Sequence, residues 1–482
     1  MGPVLVVAGP GAGKTYCLIS RIQHLISCLG FDPARLCAVT FTNKAADEIS
    51  GRLTREIGPG AEEITRGTLH SLCLSLLRQH GAAVGLRRGF GIADEDYQRR
   101  VLRRMRIRSE RQGQLLLLFG RHQLQNYPLT AGDQELFDHY QNALRSRNLV
   151  DYNDLISLTS GLLRECSAAA AQIRGRWDCV LVDEFQDLSL VQYHIVTELA
   201  REHRHCFAVG DDEQSIFSWT GADPAVLERF GTDFGIATPI VLDRNRRCSR
   251  QIFEVARRLV SRNPALFHKE LVAERDSEHE VAAHAFEDER SEASWLIGDL
   301  VGDHTTSGLE WGIYALLYRS HRIGQYLEAR LVEAGIPCRM AKGHALLDDE
   351  VIGYVASSLH LIRSPEDPLV VEAFAERVLP LTLIHQVRAQ YRAMELIPAL
   401  RAFARGARGH PDAKKAWRFV FHVENLAALG RAHDALMPLV DELLRAAEVR
   451  DDERMFAALT RILPGFNPPV SDRPAPVRVA LP

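Results

Sequence analysis

Short apolar runs alternate along the chain with longer stretches in which apolar positions recur every three or four residues. The runs Cys179 to Val182 and Phe207 to Val209 lead into polar residues, which is typical of strands in a parallel sheet covered on both faces. Leu36 to Thr40 is another strand-like run. From about Thr68 to Cys166, and again after Pro368, the spacing is helical. The pattern predicts an α/β fold whose functional residues lie at the carboxyl ends of the strands.

A glycine-rich turn follows the first strand-like run, Pro3 to Val7, and precedes an amphipathic stretch. The candidate phosphate-binding residues in this turn are Gly9, Gly11, Ala12, Gly13, Lys14 and Thr15. Glycines let backbone N–H groups point at phosphate oxygens, and the helix start adds the positive end of its dipole. The motif predicts a P-loop NTPase in which Lys14 bridges the β- and γ-phosphates and Thr15 ligates Mg²⁺. A chance glycine turn is the alternative, disfavoured by the strand before it and the Lys-Thr pair.

A pair of carboxylates, Asp183 and Glu184, directly follows the apolar run that ends at Val182. One carboxylate at a strand end can hold Mg²⁺, and its neighbour can orient or deprotonate an attacking water. Acidic residues in the first turn of a helix are the alternative, and would be preferred if the phosphate loop were absent. The long separation from Lys14 predicts a helical subdomain inserted into the nucleotide domain.

The composition limits which partners and which compartment are compatible with these hypotheses. The 482 residues carry 58 Lys and Arg against 62 Asp and Glu, a net charge of −4, so contact with nucleic acid must come from local clusters. The densest cluster holds seven arginines between Arg99 and Arg111, for which a solvated helix face and a phosphate contact are equally open. The cysteines form no C-x-x-C pair, the histidines show no ligand spacing, and no apolar run approaches ~20 residues. We expect a cytoplasmic protein with no membrane partner and no structural metal.

Several ordered segments resemble the successive motifs of UvrD/Rep-type superfamily 1A DNA helicases. They are Ala8 to Thr15, Thr40 to Ala46, Gly67 to Ser71, Val182 to Asp187, Val209 to Trp219 and Asn245 to Cys248. The resemblance extends from residue 3 to about 365. It implies two RecA-like parallel-sheet domains with helical insertions, ATP and Mg²⁺ as cofactors, and 3′ to 5′ movement on single-stranded DNA or a duplex/single-strand junction during repair, recombination or replication.

The resemblance also implies roles for individual residues. Gln214 would sense the γ-phosphate, Gln186 would couple the nucleotide and DNA sites, and Arg247 would act as an arginine finger in cis. Phe41 and Trp219 would stack on bases, with Thr68 and His70 near the DNA backbone. Core packing is the alternative for the aromatic residues. Arg246 replaces the tyrosine expected on the adenine ring, although a guanidinium plane can also stack on a purine.

The same resemblance sets the expected domain boundaries. We expect a first RecA-like domain at 1–72 and 173–238 with a helical insertion at 73–172, a partial second domain at 239–368 with a helical insertion at 369–463, and a truncated return strand at 464–482. In the partial second domain, Ile240 to Leu242 and Tyr314 to Tyr318 are expected to be strands. The family's adenine-reading N-terminal segment and last motifs have no counterpart in their usual order. Gly308 to Trp311 and Met455 to Arg461 imitate two of those motifs, and we interpret both as structural.

Two other functions remain open at this point. One is a non-unwinding, ATP- and DNA-binding fragment or switch subunit partnered with a nuclease or another repair protein. The other is a P-loop kinase for a small molecule, which would not need Phe41, Gln214 and Trp219 in this order.

Overall fold

The computed structural model describes residues 2–165, 167–218, 221–263, 265–340, 350–391, 394–407 and 411–432. The chain separates into two compact units, residues 1–282 and residues from 283 onward. The domain boundaries expected from the sequence stay predictions.

The first unit is built on a parallel sheet. The strands are β1 (Val4–Ala8), β2 (Leu36–Thr40), β3 (Thr65–Thr68), β4 (Gly91–Ile92), β5 (Leu149–Val150), β6 (Cys179–Val182), β7 (Cys206–Gly210), β8 (Ile240–Leu242), β9 (Arg244–Ser249) and β10 (Val272–Arg275). Six of them form one sheet in the order β3-β2-β6-β7-β1-β8, with every neighbouring pair parallel. This sheet confirms the predicted α/β class.

Helices cover both faces of this sheet. The helices are α1 (Lys14–Ser27), α2 (Asn43–Ile57), α3 (Leu69–His80), α4 (Glu95–Arg104), α5 (Ser109–Gln125), α6 (Ala131–Ser146), α7 (Tyr152–Glu165), α8 (Ser167–Arg174), α9 (Leu190–Leu199), α10 (Val226–Phe234) and α11 (Arg250–Val260). Successive strand residues enter opposite cores: Val6 packs with α1 and α2, whereas Leu5 and Val7 pack with α3, α7 and α9. Burial on both sides explains why the inner strands β1, β2, β6 and β7 are mostly apolar.

Helices α3 to α8 and the short β4–β5 pair lie between β3 and β6 in the chain, as the helical spacing predicts. Within the arginine cluster, Arg99 pairs with Glu95 at 2.6 Å, and Arg111 pairs with Asp133 at 3.2 Å. Such exposed pairs stabilise a helical face by little, about 0.5 kcal/mol each.

The strand at residues 240–242 lies elsewhere than the sequence suggested. We expected it to open the second domain, but β8 pairs with β1 at the edge of the first sheet, with Val6 opposite Ile240 and Ala8 opposite Leu242. The backbone N–H of Gly9 continues this ladder by donating to the Leu242 carbonyl at 3.0 Å. A short edge strand carries no pattern that identifies its partner, so sequence alone could not assign its sheet.

The second unit is helical over its described residues. Its helices are α12 (Glu289–Ser307), α13 (His321–Glu333), α14 (Glu350–Arg363), α15 (Pro368–Val378), α16 (Leu381–Gln390), α17 (Leu396–Gly406) and α18 (Pro411–Ala432). Phe374, Leu400, Phe403 and Phe419 are buried in a core shared by α14 to α18. Gly308 ends α12 with a φ of 67°, which supports the structural interpretation of the motif imitation there.

The expected strand Tyr314 to Tyr318 is wrong. Within the part of the chain that the structure describes, these residues pair with no strand, and Leu317 is 97% exposed. A strand needs a neighbour for its backbone N–H and C=O groups, and no strand is present among the described residues from 283 onward. The Met455 to Arg461 segment and the predicted return strand fall outside the described residues. Within the described ranges, we find no helix that is long and apolar enough to cross a membrane.

Candidate nucleotide-binding site

The loop between β1 and α1 has a backbone that only glycines fit. Gly11 and Gly13 have φ angles of 68° and 91°, in the left-handed region. A Cβ atom on Gly11 would lie 2.7 Å from Arg247 Cβ, and one on Gly9 would lie 2.5 Å from Leu271 Cδ2. Among the described residues, no side chain caps the start of α1, so its first N–H groups can face an anion. This loop has the form of a phosphate cradle.

The acidic strand end lies against this loop. The Thr15 hydroxyl donates to Asp183 Oδ2 at 3.2 Å, and Lys14 Nζ lies 3.4 Å from Glu184 Oε2. The contact arises because β1 and β6 are separated by a single strand, β7, and all three end at the same edge of the sheet. The sheet therefore brings together residues that are 168 positions apart in the chain.

Several buried carboxylates lie close together at this site. Burial and the neighbouring Glu184 raise the pKa of Asp183 to about 6, while Lys14 and the hydrogen bond from Thr15 act in the opposite direction. Burial and Glu184 likewise raise the pKa of Asp187 to about 7. A cation placed here would relieve the repulsion among these acids. The hydroxyl and carboxylate oxygens of Thr15 and Asp183 are the ligands that Mg²⁺ prefers, so these residues fit the metal.

Glu184 is held in an unusual backbone conformation. Its φ of 50° is positive, a strained state for a residue with a side chain, and such states are concentrated at functional sites. Gln186, which is 1% exposed, donates from Nε2 to Glu184 Oε2 at 2.9 Å and accepts the Asp211 backbone N–H at 2.9 Å. Gln186 thus joins the acidic strand end of β6 to the end of β7.

Gln214 reaches the same site from the turn after β7. Its Oε1 accepts a hydrogen bond from Lys14 Nζ at 3.3 Å, and its Nε2 donates to Asp211 Oδ2 at 2.6 Å. Lys14 therefore contacts both the acid Glu184 and the amide Gln214, so these three residues belong to one site.

Strand β9 packs directly on the phosphate loop. Asn245 Nδ2 donates to the Pro10 carbonyl at 2.6 Å, and the Arg246 backbone N–H donates to the Gly11 carbonyl at 3.1 Å. The Arg246 side chain is 66% exposed and pairs with Glu274 at 3.1 Å. The backbone and Cβ of Arg247 therefore lie beside the loop.

Three of the four candidate DNA-binding residues, Phe41, Thr68 and His70, lie at or just after the ends of β2 and β3. Phe41 follows β2, with its ring centroid 5.0 Å from that of Phe217. The Thr68 hydroxyl caps α3 by accepting the Ser71 N–H, so it also has a structural role. His70 lies edge-on to Tyr152 at 6.4 Å, and burial lowers its pKa, which favours a neutral imidazole. Trp219 lies outside the described residues.

Three residues that contact this network were missed by the sequence analysis: Asp211, Asn245 and Lys269. Asp211 and Asn245 stand inside motif segments, so their position was a usable signal. Lys269 had none, because its partners Asp211, Asp212 and Glu213 lie more than fifty positions earlier in the chain.

Family comparisons agree with this geometry. Residues 1–235 match the UvrD/REP helicase N-terminal domain, and residues 240–383 match the UvrD-like helicase C-terminal domain. The chain is 30% identical over 389 residues to the ATP-dependent DNA helicase PcrA of Leuconostoc citreum. The aligned region covers 77% of this chain and 52% of that protein. It is 31% identical over 387 residues to the ATP-dependent DNA helicase Rep of Escherichia coli K12, covering 76% and 57%.

The chain thus spans little more than half the length of the curated relatives that it matches. Both domain matches, and the RecA-like sheet of the first unit, confirm the resemblance inferred from the ordered motifs. The chain belongs to the UvrD/Rep helicase family.

Proposed function

We propose that this chain hydrolyses ATP with Mg²⁺ and uses the energy to move 3′ to 5′ along single-stranded DNA, as a helicase or translocase in repair, recombination or replication. The observation that carries the proposal is the meeting of Lys14, Thr15, Asp183, Glu184 and Gln214 at one edge of the sheet. Family membership supports it, because relatives of similar sequence are named as ATP-dependent DNA helicases. A cytoplasmic location and a nuclease or repair-protein partner stay predictions.

Each residue has a defined task in this proposal. Lys14 and the loop N–H groups hold the phosphates, and Arg247 adds a guanidinium to the transferring phosphoryl group. Glu184 accepts the proton of the attacking water, while Gln214 senses the γ-phosphate. Thr15 and Asp183 hold Mg²⁺, which supplies neutralisation of the phosphate charge when it is bound. Arg246 lies on the adenine ring in place of the family's tyrosine.

On the DNA side, Phe41 and Trp219 stack on bases, and Thr68 and His70 lie near the sugar-phosphate backbone. Gln186 couples the two sites, because it contacts both Glu184 and the end of β7. Stacking suits a motor, since every base has a π-face and the strand can pass without its sequence being read.

ATP turnover with and without oligo(dT) tests the proposal. We expect DNA to raise turnover about tenfold or more, within the usual range of coupling between sites. Phe41→Ala should weaken oligo(dT) binding by about 5- to 150-fold, the loss of one base–aromatic stack, and leave turnover without DNA unchanged. The control Phe421→Ala removes an aromatic side chain that is 62% exposed on α18, and should change neither.

An intact chain that binds ATP but shows no DNA-stimulated hydrolysis would support the switch-subunit alternative instead. Turnover that yields a phosphorylated metabolite and ignores DNA would support the kinase.

The direction of movement needs its own experiment. Streptavidin is bound to biotin at either end of an oligonucleotide, and its displacement by the ATP-driven protein is timed. A 3′ to 5′ motor removes streptavidin from the 5′ end and leaves the 3′ block in place. Faster displacement from the 3′ end would refute the proposed polarity.

A further inference from the structure

Lys269 is a buried cation beside the proposed ATPase site. It lies between α11 and β10, and its side chain is 2% exposed. Its Nζ lies 2.7 Å from Asp211 Oδ1, 2.7 Å from Asp212 Oδ1 and 3.0 Å from Glu213 Oε2. Although burial opposes the charged form, these carboxylates raise the pKa of Lys269 above its ordinary value. The ammonium therefore stays charged at physiological pH.

Stability alone is a weak reason for such a group. Removing several charges from water costs several kcal/mol per ion, and well-packed apolar residues of similar volume often stabilise a core equally well. The contacts of Lys269 are instead directed at one functional turn, residues 211–214.

Asp211 carries the effect of Lys269 to Gln214. One oxygen of this fully buried carboxylate binds Lys269, and the other accepts the Gln214 Nε2–H at 2.6 Å. An amide side chain has one donor end and one acceptor end. With Nε2 held by Asp211, the carbonyl end of Gln214 faces Lys14 Nζ at 3.3 Å.

The segment around Lys269 also holds the turn through its backbone. The N–H groups of Leu266 and Phe267 donate to Asp212 Oδ2 at 2.9 and 3.3 Å. Two residues beyond Lys269, Leu271 packs against Gly9 of the phosphate loop. Residues 266–271 therefore contact both the Gln214 turn and the phosphate loop.

We propose that Lys269 is a positioning residue for ATP hydrolysis, which holds Asp211 so that the Gln214 amide keeps its carbonyl oxygen at Lys14. The inference rests on the proposed function, in which Gln214 senses the γ-phosphate. Lys269 itself touches neither ATP nor water. Its loss should thus slow the chemical step and not weaken nucleotide binding.

A double-mutant cycle on ATP turnover tests this role, with Lys269→Met, Gln214→Ala and the double variant. Lys269→Met should lower kcat by about 10- to 100-fold, the usual effect of misplacing a reacting group by an ångström or less, with the ATP Kd unchanged. In the Gln214→Ala background the same substitution should have no further effect on kcat, because the group that it positions is already absent.

The outcomes separate the inference from the proposed function. A normal kcat in Gln214→Ala would refute the role of Gln214 and, with it, the basis of the inference. A different result would overturn only the inference: a low kcat in Gln214→Ala, together with a Lys269→Met substitution that lowers kcat by the same factor in the intact chain and in Gln214→Ala. If Lys269→Met does not unfold cooperatively, Lys269→Arg is used in its place. Lys269→Arg should lower kcat partially in the intact chain and should not lower it further in the Gln214→Ala background. A loss that persists there contradicts the proposal.

Discussion

Lys14→Ala is expected to abolish ATP hydrolysis, lowering kcat by about 10²- to 10³-fold or more. The ammonium lies 3.3 Å from the amide oxygen of Gln214 and 3.4 Å from the carboxylate of Glu184, and neither of these groups can neutralise phosphate charge in its place. Its removal leaves phosphate charge facing acids. ATP affinity should also fall by about 10- to 150-fold, the loss of one charged hydrogen bond. Steady-state ATP turnover measures the loss of kcat, and equilibrium binding measures the loss of ATP affinity.

The matched control is Lys415→Ala. Lys415 lies on α18, is about half exposed, and pairs with Asp412 at 2.9 Å, so its loss should leave turnover at the level of the intact chain. If Lys14→Ala hydrolyses ATP as fast as this control, the assignment of the phosphate loop is wrong.

Glu184→Gln should separate binding from chemistry. The substitution keeps the side-chain shape and an oxygen that can accept from Gln186 Nε2, but it removes the proton acceptor. General-base catalysis contributes about 10²- to 10⁴-fold, so kcat should fall by that factor. ATP affinity should stay the same or improve, because one negative charge leaves the neighbourhood of the phosphates.

Single-turnover hydrolysis and ATP binding, measured on the same preparation, check this expectation. Glu333→Gln is the control, since Glu333 is 63% exposed on α13 and pairs with Arg330. A Glu184→Gln chain that keeps its single-turnover rate would assign the base to another residue.

The parts of the fold that could be predicted are those with local signals. Strands such as Cys179–Val182 are buried on both faces, and therefore apolar throughout, and the polar residues after them mark the functional edge. The glycine loop and the Asp183-Glu184 pair could be joined because the chemistry of phosphate binding needs both. Their contact through Thr15 then follows from the sheet order.

What could not be predicted depends on long-range pairing. Ile240–Leu242 joins the first sheet because an edge position beside β1 is open, and no local feature reports that. Tyr314 to Tyr318 has the composition of a strand but no partner among the described residues. Lys269 belongs to no hydrophobic periodicity and no motif, because its position depends on carboxylates from a distant turn.

The central claim is that Lys14 and Asp183 serve one magnesium-bound triphosphate. It is tested most directly by titrating ATP into the intact chain and into Asp183→Asn, each with Mg²⁺ and with a chelator. We predict one site per chain and an affinity that Mg²⁺ increases in the intact protein but not in Asp183→Asn. An Asp183→Asn chain that keeps the full gain from Mg²⁺ would contradict the claim.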